Sequence, residues 1–266
     1  MFDTLELKAL AKITLTVFLF VIFSKVFFTV FNMLNERKFT REIHFKHSPE
    51  KVSKYKDKKT EILIIGDSWA ADKRLEKYLV SALSQVGIEN SIKSIGLPGA
   101  KTKAIYECLV NSGFYENISD THPDFCVILA GVNDVCQHIG PDYYAYHMTL
   151  IVKGLVKANI EPLPLLLPQI EPRINFKKSS ILKRSRLKIY SLLFEDQKDD
   201  GILQYRNALF EQLEAIKMGR DIHFLNLDKN FNEDKSNSLK EDGIHLSTIG
   251  YQKLTQSIVK HINEKK

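Results

Sequence analysis

The chain has 266 residues, 44% hydrophobic and 26% charged, with a formal net charge of +6. That length holds one well-buried domain plus an appendage, and the composition excludes a disordered or fibrous chain. The positive balance suits anionic lipid, an acidic polysaccharide or nucleic acid, so where the charge sits matters more than its sum.

The first element is apolar: Ile13 to Phe31 reads ITLTVFLFVIFSKVFFTVF, broken only by Lys25. Its length matches the roughly 20 residues that cross a bilayer core, and the long stem of Lys25 can snorkel toward an interface. No A-x-A-like cleavage site follows. The expectation is a retained single-pass anchor within residues 1–34, attached to the membrane through residues 13–31; a helix lying in the interface or docked on the domain is the alternative. Lys8 and Lys12 before the segment are balanced by Arg37, Lys38, Arg41 and Lys46 after it. The positive-inside rule therefore does not favour an outside catalytic domain, although an extracytoplasmic one is expected. Residues 35–59 read as a basic linker ending in KYKDKK, its lysines a solvated face or headgroup contacts.

From residue 60 to 266 short apolar runs alternate with longer amphipathic segments, the pattern of an α/β domain with a parallel sheet. The expected strands are Ile62 to Ile65, Ser91 to Ile95, Phe125 to Leu129, Pro162 to Leu167 and Ile222 to Leu225. Leu75 to Val86, Thr102 to Asn111, Tyr144 to Ala158, Ile202 to Lys217 and Ser247 to Asn263 read as helices. The prediction is a three-layer sandwich around a five-stranded, mostly parallel sheet. In such sheets ligands bind beyond the carboxyl ends of the strands, so the polar residues that follow each strand are the candidates.

The first strand runs into Gly66-Asp67-Ser68-Trp69-Ala70, which exposes a hydroxyl at a strand-to-helix turn. The second ends in Ser94-Ile95-Gly96-Leu97-Pro98-Gly99, where a bare amide can approach a ligand. After the third comes Gly131-Val132-Asn133-Asp134, with an amide side chain able to donate to a developing negative charge. Before the last helix, Asp242-Gly243-Ile244-His245 sets a carboxylate three residues ahead of an imidazole, a pair suited to orient and charge-stabilise the ring. Each taken singly is compatible with an ordinary turn. Their joint occurrence, in this order at strand and helix ends, is not.

Over residues 61 to 263 the chain resembles the SGNH or GDSL-type hydrolases. The resemblance matches Ser68 to the nucleophile of that family's first block, Gly99 and Asn133 to the second and third blocks, and Asp242 and His245 to the last; PDFCVILAGVND, led by Pro123 and Asp124, also resembles the third block. Trp69 stands where the family name has leucine, a change expected to shape a pocket wall, and Ser94 stands where many members have asparagine. The resemblance implies a flavodoxin-like fold and acyl transfer through a serine-bound intermediate. Ser68 would attack, His245 would take its proton, Asp242 would hold the ring, and Ser68 N–H, Gly99 N–H and the Asn133 side chain would meet the oxyanion. No metal or organic cofactor is called for.

The remaining polar features read blandly. Cys108, Cys126 and Cys136 lack CxxC spacing, so neither a disulfide framework nor a zinc site is indicated. His138 is near enough in sequence to Asn133 to line a pocket, although a structural place is the simpler reading, and the other histidines show no metal spacing. The long stretch Gln169 to Gly201 is either a lid or binding arm, with Arg173, Lys177 and Lys178 facing an anionic polymer or headgroup, or a solvated amphipathic helix from Ser179 to Phe194. No recognition motif accompanies the charge, so nucleic acid is not an expected partner. The expected activity is hydrolysis of short acyl esters, with O-acetyl groups on an acylated polysaccharide as substrate class. Transfer to a sugar hydroxyl, lipase or lysophospholipase action and non-catalytic glycan binding are the alternatives.

Overall fold

The structure, a computed structural model, describes residues 4–42, 59–112, 114, 123–170, 179–196, 201–216, 221–227 and 235–266. The chain divides into two compact units, Met1–Phe39 and Thr40–Lys266.

The first unit is a single helix, α1 (Thr4–Glu36). Within its stretch Ala9–Glu36 an 18-residue window reaches a mean hydropathy of 2.3, which by length and composition fits a membrane-crossing anchor and a signal sequence alike. The threonine hydroxyls within it are satisfied by the helix itself. Thr14, Thr16 and Thr29 each donate to the carbonyl four residues back, at 2.9, 2.9 and 2.7 Å, which removes the cost of an unpaired hydroxyl in an apolar medium.

The second unit is an α/β domain. Among the described residues its sheet has four parallel strands, β1 (Thr60–Gly66), β2 (Asn90–Gly96), β3 (Phe125–Leu129) and β4 (Glu161–Pro164), in the order β2-β1-β3-β4. The central strands β1 and β3 are almost continuously apolar because both faces are covered; Ile62, Ile64, Ile65 and Phe125 through Leu129 are all buried. The helices in chain order are α2 (Ser68–Ala71), α3 (Arg74–Gln85), α4 (Thr102–Asn111), α5 (Val132–Cys136), α6 (Pro141–Lys157), α7 (Ile181–Phe194), α8 (Gly201–Ala215), α9 (Lys235–Ser238) and α10 (Thr248–Lys265). The chain moves toward one edge from β1 to β2 and toward the other from β2 through β3 to β4. Right-handed crossovers then put α3 on one face and α4 and α6 on the other. The packing agrees, since α3 lies against α10, and α4 and α8 both lie against α6. The direction reverses between β1 and β3, which makes the carboxyl ends of these two strands the place for a ligand crevice.

The fifth expected strand is corrected to a single bridge, between Leu225 and Leu165. The reason lies in β4. Glu161 N–H and Leu165 N–H point at the third strand, donating to Asp124 and Ile128 carbonyls, so residues 162, 164 and 166 face the other way. Two of those three are Pro162 and Pro164, which have no N–H to give. What is left is Leu166 N–H to the Leu225 carbonyl and Leu225 N–H to the Pro164 carbonyl, both 3.0 Å.

Most of the expected basic linker, residues 43–58, lies outside the described residues. Its beginning is docked on the domain: Tyr146 Oη donates to the Thr40 carbonyl at 2.8 Å, and Lys153 and Lys157 pair with Glu42 at 2.8 and 3.2 Å.

Candidate active site

The turn after β1 is set by one close approach. A Cβ on Gly66 would lie 2.0 Å from the Leu129 carbonyl oxygen, so only glycine lets the ends of β1 and β3 meet there. Asp67 N–H then donates to that same carbonyl at 3.0 Å and Leu97 N–H to the Gly66 carbonyl at 2.9 Å, tying the first turn to both neighbouring strands. Ser68 follows as the first residue of α2, capped by Asp67, whose carboxylate accepts from Trp69 N–H at 2.9 Å. In that position the Ser68 N–H has no partner within the helix.

The loop after β2 turns at Gly99, whose φ of +78° favours glycine, with Ala100 N–H closing back on the Leu97 carbonyl at 3.0 Å. Asn133, in α5, reaches both loops. Its Nδ2 donates to the Ala100 carbonyl at 3.1 Å and to Asp67 Oδ2 at 3.3 Å. The longer of these two bonds is the one that a stronger acceptor can displace.

From the other side comes the loop before α10. Asp242 Oδ1 accepts from the backbone N–H groups of Ile244 and His245, both at 2.9 Å, which folds the loop around the carboxylate. Its Oδ2 lies 2.6 Å from His245 Nδ1, and His245 Nε2 lies 3.1 Å from Ser68 Oγ. Burial pushes the Asp242 carboxyl up, but hydrogen bonds from His245 backbone and ring and from Ile244 N–H outweigh it and hold it below the ordinary value. Asp242 therefore stays ionised next to the imidazole at neutral pH.

All five residues singled out in the sequence are thus tied into one constellation. Ser68, His245 and Asp242 form a hydrogen-bonded line, while Asn133 bonds the residue before Ser68 and the residue after Gly99. Two carboxylates beneath the site went unremarked in the sequence. Asp67 and Asp134 are both fully buried; Asp134 accepts from Thr102 N–H at 3.0 Å and Thr102 Oγ1 at 2.8 Å, anchoring the start of α4. The signal available was their position, each adjoining a motif residue just past a strand end. Trp69, expected at a pocket wall, is buried in the core at 1% exposure. His138, at a φ of 52°, is held by Glu195 Oε2 at 2.7 Å. Arg173, Lys177 and Lys178 lie outside the described residues.

The buried pair has a consequence for stability. Burial raises the Asp67 carboxyl to about 7 and that of Asp134 to about 6. An unfolded aspartate loses its proton near pH ~4, so between about pH 4 and 7 the folded state holds more protons and stability falls as pH rises. Asp67→Asn keeps a capping oxygen and carries no titration. The unfolding midpoint of the wild type minus that of Asp67→Asn is expected to decline across this window and level off above it; a flat difference would mean that Asp67 is ionised throughout.

A serine at a strand-to-helix turn, lined up with a histidine and an aspartate at the switch point of a parallel sheet, has the architecture of an α/β serine hydrolase. A sequence profile of the GDSL-like Lipase/Acylhydrolase family matches residues 64–253, and the chain belongs to that family of ester hydrolases. Solved structures repeat the fold. The lipase/acylhydrolase from Enterococcus faecalis superposes with a TM-score of 0.56 at 19% identity, covering 77% of this chain and 96% of that one. The acetyl xylan esterase AlAXEase gives 0.55 at 17%, covering 76% and 99%. A Clostridium thermocellum family 3 carbohydrate esterase gives 0.51 at 18%, covering 78% and 97%. No curated protein is similar enough in sequence to match.

Proposed function

We propose that this enzyme hydrolyses short acyl esters through an acyl-enzyme on Ser68, and that its substrates are O-acetyl groups on a glycan. The observation that carries the proposal is the line Asp242–His245–Ser68, with contacts of 2.6 and 3.1 Å. Ser68 Oγ attacks the carbonyl carbon as His245 Nε2 takes its proton. The collapsing intermediate expels the alcohol, which leaves with that proton. Water then gives a proton to His245 as it attacks the acyl carbon, and the second intermediate collapses to the acid as the bond to Ser68 Oγ breaks and His245 returns that proton to Oγ. The oxyanion of each tetrahedral intermediate is met by the N–H groups of Ser68 and Gly99 and by Asn133 Nδ2, once the latter turns from Asp67.

Asn133→Ala removes a donor whose bond to the substrate forms only with the oxyanion, in exchange for its resting bond to Asp67. We expect kcat to fall by about a hundredfold to a thousandfold with KM little changed; an equal rise in KM at constant kcat would assign Asn133 to ground-state binding instead.

The acetyl and glycan preference draws support from two of the structural relatives, whose names describe an acetyl xylan esterase and a carbohydrate esterase. The apolar helix α1 fits the same picture as a retained single-pass anchor holding an extracytoplasmic domain at a surface where such glycans lie. The test is hydrolysis of p-nitrophenyl acetate, butyrate and palmitate and of acetylated xylan by the full chain in detergent, with and without a free sugar acceptor. Best turnover on acetate, with acetate released from the xylan, supports the reading. Preference for palmitate makes the enzyme a lipase, and acyl groups recovered on the sugar make it a transferase.

A further inference from the structure

Helix α7 presents to solvent a face that a soluble enzyme does not need. Its inner side packs on the domain through Leu187 and Tyr190, both buried. On the outer side Ile181, Leu182, Leu192 and Leu193 are 73%, 74%, 58% and 56% exposed. At 100° per residue these four fall within about 120° of arc, one pair at each end of the helix with Ser185 and half-buried Ile189 between them, an apolar stripe directed away from the core. Cations border it on both sides, Arg184 and Lys188 along one edge and Arg186 along the other, all exposed, and no acid occurs from Ser179 to Phe194.

We infer that the outer face of α7 docks into the surface of an anionic lipid bilayer. An apolar stripe between two basic edges is the arrangement that buries side chains at the headgroup boundary while the cations meet lipid phosphates. The charge pattern selects this occupant over a second copy of the chain, since a two-fold pairing through the stripe would set basic edges against basic edges. The docked helix also bears on the site. Glu195, the residue after α7, binds His138 Nδ1 at 2.7 Å and accepts from Tyr205 Oη at 2.9 Å, and Tyr205 Oη accepts from Gly140 N–H at 3.0 Å. Through these bonds the end of α7 is braced against the segment that follows α5, the helix that carries Asn133, so docking would hold the active-site loops close to the lipid surface.

The test places an indole in the stripe. Full-length Leu192→Trp is reconstituted into vesicles of phosphatidylcholine alone or with roughly one-quarter phosphatidylglycerol, and fluorescence is read with and without lipids brominated on their acyl chains. The native Trp69 is buried and supplies a constant background that the unsubstituted chain measures. Flotation at high salt reports α1 separately, so failure of the anchor reading and failure of this one are distinguishable. The expected result is a blue-shifted indole quenched by bromolipid in the anionic vesicles and much less in the neutral ones. Since each basic residue near an anionic leaflet favours the docked state by roughly fivefold, Arg184→Gln with Arg186→Gln and Lys188→Gln should lower docking by about a hundredfold and return quenching to the neutral-vesicle level. An indole that stays solvated in both vesicles overturns the proposal. So does a blue shift without quenching that grows with the ratio of protein to lipid, which would assign the stripe to a second copy of the chain.

Discussion

Ser68→Ala is expected to lower kcat on p-nitrophenyl acetate by about five to six orders of magnitude, and His245→Ala by a similar amount. The geometry makes these losses one event. His245 Nε2 is 3.1 Å from Ser68 Oγ, and in the proposed mechanism the base has no purpose without the hydroxyl, and the hydroxyl is a poor nucleophile without the base. Combining the two substitutions should therefore cost no more than either alone, whereas independent contributions would multiply. Each variant should stay folded. The Ser68 side chain is half-buried and His245 is 39% exposed, so neither truncation opens a core cavity, and the unfolding midpoint should move little. Residual activity above about one part in a hundred in Ser68→Ala would remove the acyl-enzyme from the mechanism. A single-turnover burst in the wild type, absent in the variant, is the direct check.

The sequence exposed the fold where period and burial coincide. The apolar runs at Ile62 to Ile65 and Phe125 to Leu129 lie between two helical layers, so every position in them faces a core, and the third strand has the expected limits. The last strand failed for a reason that strand propensity does not carry. Ile222 to Leu225 is apolar enough, but Pro162 and Pro164 remove donors from the edge it would join, and only knowledge of which side each residue of β4 faces exposes the conflict. Pairing is a property of two segments; the apolar pattern describes one.

The site divides in the same way. Ser68, Gly99, Asn133, Asp242 and His245 stand out in the sequence because each belongs to a short motif next to a strand or helix end. Asp67 and Asp134 stand in two of those motifs yet pass as turn residues, since aspartate in an exposed turn is ordinary. Only their burial shows that they are carboxyls held inside the domain by hydrogen bonds, one to Trp69 N–H and the other to Thr102. The stretch from Ser179 to Phe194 was equally ambiguous. Its residues state that it is amphipathic and basic, but not which side meets the core, and the packing of Leu187 and Tyr190 decides that the stripe of Ile181, Leu182, Leu192 and Leu193 faces out.

Asp242→Asn should lower kcat by about ten-thousandfold while the loop and the fold stay in place. Asp242 Oδ1 takes two backbone hydrogen bonds, from Ile244 and His245, and Oδ2 takes the bond from the imidazole. An asparagine keeps the two backbone bonds by leaving its oxygen at the Oδ1 position, which puts its NH2 against His245 Nδ1. That nitrogen must then accept, and the neutral ring carries its proton on Nε2. The face toward Ser68 becomes a donor, and a donor cannot take the serine proton. The opposite orientation restores the bond to Nδ1 but sets the NH2 against two backbone N–H groups, so it loses two bonds to regain one. The lost rate should therefore appear in kcat with an unchanged unfolding midpoint, and the imidazole proton of the resting variant should be found on Nε2 by nitrogen NMR. A proton remaining on Nδ1, with activity within about tenfold of wild type, would show that Asp242 serves the loop and not the chemistry.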